Sequence, residues 1–230
     1  SGTYTATLNL ATPLTTPAND GKYRLFVCGT TSIYDLIGLE LNDGLSDTII
    51  DFTIAPAPSA LPETGFPMGQ ITTVPAQPTS VAYSSTDLVL EIPALDISMP
   101  IVGVPQSGVS WDTSWLGNNA GYLADSAFPT WKGNTVLTGH VWNANNSSGP
   151  FAEIKKLQYG DKIEIRAWGL TYTYEVQESK LVLPSRVNTV FQQEEYDWVT
   201  LVTCEGYNPF TSNYIFRRMV RAILVEVSAE

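Results

Sequence analysis

A chain of 230 residues that is 43% hydrophobic and only 15% charged can bury a proper core and is too apolar to stay disordered. Its formal net charge of −11 excludes nonspecific nucleic-acid binding, because a phosphate backbone would be repelled. No apolar stretch approaches the ~20 residues that a membrane span needs, no signal peptide opens the chain, and no Asp-x-Asp-x-Asp-Gly calcium loop occurs.

Residues 1–55 contain four strand-like runs, Thr3–Leu10, Lys22–Cys28, Leu36–Leu41 and Thr48–Ile54. Turn signals at Pro17-Ala-Asn-Asp-Gly21 and Asn42-Asp-Gly44 punctuate them. They predict a small β-rich domain, or part of a β-sandwich, with no visible chemistry and the character of a structural or adhesive spacer. Residues 56–85 read as a linker. Six prolines from Pro56 to Pro78 resist both helix and central strand and favour an extended, exposed chain. That linker contains Leu61-Pro62-Glu63-Thr64-Gly65, whose Leu-Pro-x-Thr-Gly pattern is expected by chance in roughly one chain in several hundred.

Residues 86–230 return to β pattern. Strands are predicted at Leu88–Ile92, Ile97–Val102, Thr135–His140, Lys162–Ala167, Thr171–Lys180, Trp198–Cys204 and Ile215–Val227, with breaks at Pro93 and Pro100. Short helices are expected at Trp115–Asn118 and Phe151–Leu157. Roughly eight short strands with two small helices suit a mixed-connection β-barrel.

The chemistry concentrates in few residues. His140 is the one imidazole, so acid–base work near neutral pH falls to it; it follows a strand and precedes a polar loop, which places it at a rim. Cys204 ends an apolar strand before the turn-forming Glu205-Gly-Tyr-Asn208, a setting for a half-exposed nucleophile. A disulfide to Cys28 is rejected, since it would silence Cys204 and join two predicted domains; Cys28 reads as a small buried hydrophobe. On the last strand, Phe216, Val220, Ala222 and Leu224 share one face with Arg218, and Arg217, Met219 and Arg221 share the other. With the apolar face inward, Arg217 points to the groove beside Cys204. It ranks first as the arginine of the site, with Arg218 second and Arg221 as a solvated edge charge. Thr203 could offer a hydroxyl or amide near the thiol, although filling a strand is the simpler role for a β-branched residue.

Trp115-Leu-Gly-Asn118, Leu137-Thr-Gly-His140, Gly149-Pro-Phe-Ala-Glu-Ile154 and Thr200-Leu-Val-Thr-Cys204 together resemble the sortases, with class D or E as the nearest type. The resemblance runs from about Thr86 to Val227 and leaves residues 1–55 outside. It implies a sortase-like eight-stranded barrel and a cysteine transpeptidase with Cys204 as nucleophile, His140 as acid–base and Arg217 as oxyanion stabiliser or peptide grip. Thr203 would lie at the substrate. It further implies Leu-Pro-x-Thr-Gly sorting signals as substrate, cleaved between Thr and Gly, and an amine of peptidoglycan or a pilin as acceptor. Neither metal nor organic cofactor is required. Such an enzyme works at the extracellular face of a bacterial envelope, so this sequence reads as an excised portion whose membrane tether lies elsewhere. Leu61–Gly65 then looks like a substrate without an anchored substrate's context, either a pseudosubstrate, a self-processing site or a peptide for a neighbouring molecule. The contrasting reading is an inert surface module in which the barrel no longer turns over.

Overall fold

The computed structural model describes residues 21–27, 48–54, 58–79 and 88–229. The chain divides into two compact units, Ser1–Ala57 and Pro58–Glu230. In the first, β1 (Gly21–Val27) and β2 (Thr48–Ile54) pair antiparallel, with Gly21 opposite Ile54 and Val27 opposite Thr48. These are two of the four predicted strands. Thr3–Leu10, Leu36–Leu41 and Cys28 lie outside the described residues.

The second unit is built on a closed mixed barrel. Its strands are β3 (Val89–Ile92), β4 (Ile97–Val104), β7 (Ala120–Leu123), β8 (Gly133–Thr138), β9 (Lys162–Ala167), β10 (Leu170–Val182), β11 (Asp197–Asn208) and β12 (Asn213–Ala229). Around the barrel the order is β10-β12-β11-β8-β7-β4-β3-β9, with β8–β11 and β4–β7 parallel and the other pairs antiparallel. A small hairpin, β5 (Gln106–Ser107) and β6 (Ser110–Trp111), stands apart. Pro100 does not end β4: residues through Pro100 pair with β3 and residues from Ile101 pair with β7, so the proline marks a change of neighbour.

Two expected helices are replaced by tighter structure. Trp115–Asn118 forms turns, with Gly117 at φ +58° and the Trp115 indole N–H donating to Asp112 O. Within Phe151–Leu157 only Ile154–Lys156 closes a 3-10 turn. The one α-helical turn among the described residues, α1, is Val187–Val190.

Alternation along the strands divides the apolar side chains. Residues from all eight strands, among them Leu90, Ile101, Tyr122, Leu137, Ile165, Val176, Leu201 and Val220, form one buried cluster, which is the barrel interior. Their alternates Val102, Val104, Val136, Val202 and Met219 form a second cluster outside the barrel, covered by Trp111, Trp115, Leu116 and α1. Leu61 belongs to this second cluster. The face of β8, β11 and β12 that carries it is therefore a groove floor.

Candidate active site

Cys204 on β11 is paired in register with Arg217 on β12, and both lie on the alternation that faces the second cluster. His140 follows β8 by two residues. Because β8 and β11 run parallel with Val202 beside Thr138, the segments leading to His140 and Cys204 travel together. Two threonines join them: Thr138 Oγ1 donates to Val202 O at 2.7 Å, and Thr203 Oγ1 to Gly139 O at 2.7 Å. The His140 carbonyl accepts the Phe151 N–H at 2.9 Å, and a Cβ on Gly149 would lie 2.2 Å from that oxygen, so only glycine fits there.

Leu61–Gly65 lies across this pair. The Leu61 N–H donates to Pro184 O at 2.8 Å, and Pro62 O accepts from Arg217 Nε at 2.9 Å. Glu63 O accepts from Thr113 Oγ1 at 2.6 Å, and Thr64 O from the Val141 N–H at 2.7 Å. The Thr64 N–H approaches Cys204 Sγ at 3.1 Å, while the Cys204 N–H donates to Thr64 Oγ1 at 2.8 Å. Thr203 Oγ1 is 3.4 Å from the same hydroxyl. Gly65 bridges to Trp142, and a Cβ there would sit 2.4 Å from Tyr214 Cε2. Phe66 donates its N–H to Trp142 O at 3.0 Å, accepts from Tyr214 Oη at 3.2 Å, and packs its ring, tilted by 48°, with its centroid 5.1 Å from that of His140. Every residue of the pentapeptide is thus held by a partner suited to it.

This seating changes three expectations. The pentapeptide is not an exposed linker: Leu61 and Thr64 are buried, and only Glu63 of the five is exposed. Burying the leucine side chain alone contributes about 1.5–3 kcal/mol. Cys204 is a buried free thiol, not a half-exposed one, and His140 is buried, not at an open rim. Thr64 and Glu63 lie against Cys204, and Phe66 lies against His140, neighbours that sequence patterning of the strands could not supply.

The three arginines separate cleanly. Arg217 is fully buried and, besides Pro62 O, its Nη2 meets Glu63 Oε1 at 2.7 Å. Of the two roles considered for it, gripping the peptide is the one the geometry presents. Arg218 is committed to Glu205, at 2.7 and 3.0 Å. Arg221 is not a solvated edge charge. It is buried, pairs with Glu194 and lies 4.4 Å from the Trp198 ring centroid.

Burial pushes the Cys204 thiol up, with the Arg217 charge and the Thr64 hydrogen bonds opposing in part. Burial pushes the His140 imidazole down, with backbone groups of Thr64 and Thr113 opposing in part. Even so, neither ring nitrogen reaches a hydrogen-bond partner. The covered site therefore favours neutral thiol and neutral imidazole over the charged pair.

Thr113, Tyr214 and the Val141 N–H were not anticipated. A backbone amide carries no sequence signal, and Tyr214 sits in the β11–β12 hairpin where tyrosine is commonplace. Thr113 stands two residues before Trp115-Leu-Gly-Asn118, so that block was the one available pointer.

Comparison with known proteins agrees with this construction. The Sortase domain family model matches residues 90–224. Sortase D of Bacillus subtilis (strain 168) is 28% identical over 120 residues, which cover 52% of this chain and 54% of that protein. The chain thus spans about half the length of this curated relative. Among solved structures, sortase A from Corynebacterium diphtheriae superposes with a TM-score of 0.52 at 30% identity, covering 63% of each chain. Sortase C-1 from Actinomyces oris gives 0.50 at 25%, covering 63% of this chain and 76% of its own. With a family model spanning more than half of its residues, and a closed eight-stranded barrel beneath the match, the chain belongs to the sortase family of cysteine transpeptidases.

Proposed function

We propose that this chain is an active transpeptidase that cleaves Leu-Pro-x-Thr-Gly-like sorting signals between Thr and Gly and passes the acyl group to an amine of peptidoglycan or a pilin. The observation that carries the reading is the chain's own Leu61–Gly65, seated with Thr64 on Cys204 and Gly65 in a space that admits no side chain. Cys204 attacks the threonine carbonyl, whose oxygen is met by the Val141 N–H. That donor is fixed before reaction, as oxyanion stabilisation requires. Arg217 holds the proline carbonyl and so sets the peptide's register. His140 protonates the departing amine and deprotonates the arriving one. Thr203 braces Gly139 and touches the threonine hydroxyl.

The enzyme would act at the extracellular face of a bacterial envelope on anchored surface proteins, held by a membrane tether outside these residues. Its in-chain motif competes with those substrates for the groove. Mass spectrometry of the protein incubated with Leu-Pro-Glu-Thr-Gly peptides and assorted amines tests the reading. Acyl-enzyme and transfer product are expected, both lost in Cys204→Ala. The groove's being filled favours one rival, an inert display module; absence of any thioester on Cys204, with peptide and amine in excess, would establish that rival.

A further inference from the structure

Resting on the transpeptidase reading, the structure carries a second step beyond occupancy. We propose that Leu61–Gly65 is a substrate in cis: Cys204 is acylated by the chain's own residues 1–64, which are then transferred to an external amine.

The seating is that of a reacting peptide and not of a passive plug. The carbonyl that would be attacked, Thr64 C=O, already accepts the Val141 N–H at 2.7 Å, and the sulfur lies 3.1 Å from the nitrogen of the same residue. The residue after the bond is glycine, in a position where a Cβ would strike Tyr214. A plug would gain its binding energy from Leu61 and the backbone bonds, and would need neither a donor fixed on the Thr64 carbonyl nor the sulfur set against the same residue.

In the step itself the Cys204 Sγ–Thr64 C bond forms and the Thr64 C–Gly65 N bond breaks. The thiol proton passes through His140 to the Gly65 nitrogen, which leaves as a free α-amine. An incoming amine then forms a new amide with the Thr64 carbonyl, the C–S bond breaks, and the amine's proton returns through His140 to the sulfur. Nothing is oxidised or reduced.

What happens to the leaving amine decides whether the chain is found cut or whole. Gly65 remains covalently joined to the barrel, and the segment behind it is pinned to the polar loop after His140. Phe66 N–H donates to Trp142 O at 3.0 Å, Gly69 N–H to Asn146 Oδ1 at 2.8 Å and Thr72 N–H to Ala144 O at 2.8 Å. The leaving amine therefore stays beside the thioester at an effective concentration of about millimolar or above, and it religates. The Phe66 ring must also leave His140 before an external amine can be deprotonated there. The intact chain persists at rest, and transfer proceeds when an acceptor outcompetes the tethered glycine.

The test is to incubate the full chain with a fluorophore-labelled triglycine at increasing concentration and follow intact masses. Expected are residues 1–64 joined to the triglycine, together with a 65–230 fragment, at a rate per chain that does not change on dilution. Both products are lost in Cys204→Ala. Three results overturn the cis step. The first is a rate that falls in proportion to dilution, and the second is wild-type protein labelling added full-length Cys204→Ala chain as fast as it labels itself. The third is a chain that stays intact while the Leu61→Ala/Pro62→Ala/Thr64→Ala protein, its groove emptied, turns over a separate Leu-Pro-Glu-Thr-Gly peptide. In that last case the transpeptidase reading stands alone. If the emptied protein is also silent, both fall.

Discussion

At the scale of single residues, the site is arranged so that one arginine, and not its neighbour, reads the peptide. Arg217 is buried without a carboxylate of its own in the barrel: its partners are the Pro62 carbonyl, the carbonyls of Tyr214 and Phe216, and Glu63 of the seated peptide. Removing it deprives the transition state of a fixed positive grip and leaves a hole. Arg217→Ala is expected to lower kcat/KM toward a Leu-Pro-Glu-Thr-Gly peptide by about 10², the scale of a substrate held out of register. Arg218→Ala loses only a partly exposed pair with Glu205, whose worth is about 1 kcal/mol or less, and activity should stay within a few-fold. Steady-state kinetics of the two variants decide the matter, and the reverse ranking would overturn the assignment.

His140 and Cys204 make the covered state pH-dependent in two directions. His140 is pushed down when covered, so its share of the seating is whole above the uncovered imidazole's value of ~6.5 and is lost as pH falls from there through the covered value. Cys204 is pushed up, so its share is whole below the uncovered thiol's ~8.5 and is lost as pH rises through the covered value. The charges of Arg217 and Glu63 lie beside the thiol, and the first favours thiolate while the second opposes it. Protection of the Leu61 and Phe66 amides in hydrogen exchange, corrected for the intrinsic pH dependence of exchange, should peak between about pH 6.5 and 8.5. A flat profile would show that seating ignores the ionisation of both groups.

At the scale of elements, what was legible depended on alternation. β9, β10 and β12 show it over part of their length, whereas β11, buried on both faces from Val199 to Cys204, reads as an apolar run; all four were found within a few residues of their ends. β7 escaped because Ala120-Gly-Tyr-Leu123 is four residues long and buried throughout, leaving no pattern to read. α1 is a single turn, too short for a 3.6-residue period, and Gly117 converted an expected helix into a turn. The same alternation, together with the family's arginine pattern, ranks Arg217 first, whereas His140 and Cys204 are singled out chiefly by motif. The threonines of those motifs prove to be fasteners. Thr138→Val and Thr203→Val each remove one buried hydroxyl bond and should cost about 1 kcal/mol in denaturant unfolding. Thr203→Val should lower kcat as well, because it frees Gly139 next to His140; equal activities in the two variants would place Thr203 outside the site's support.

At the scale of the whole molecule, the consequence is competition between a tethered peptide and a free one. The pentapeptide's identity was legible from sequence; its burial was not, because a proline-rich stretch carries no periodicity to say what it packs against. With the tether supplying about millimolar peptide, added substrate at low concentration is slowed by one plus the ratio of that concentration to the peptide's Kd. For a Kd of about 1 mM the slowing is about twofold, and for about 0.1 mM about tenfold. Replacing Leu61, Pro62 and Thr64 together with Ala removes the buried leucine side chain, the proline ring that fixes the backbone at the carbonyl held by Arg217, and the hydroxyl that meets the Cys204 amide. Turnover of an added Leu-Pro-Glu-Thr-Gly peptide should then rise by that factor, and by the same factor at every protein concentration, since an intramolecular competitor does not dilute. The gain should shrink toward unity as the added peptide saturates, because only the apparent KM carries the competition. Unchanged kinetics across peptide and protein concentrations would mean that the seated segment does not restrain the enzyme, whatever its place in the groove.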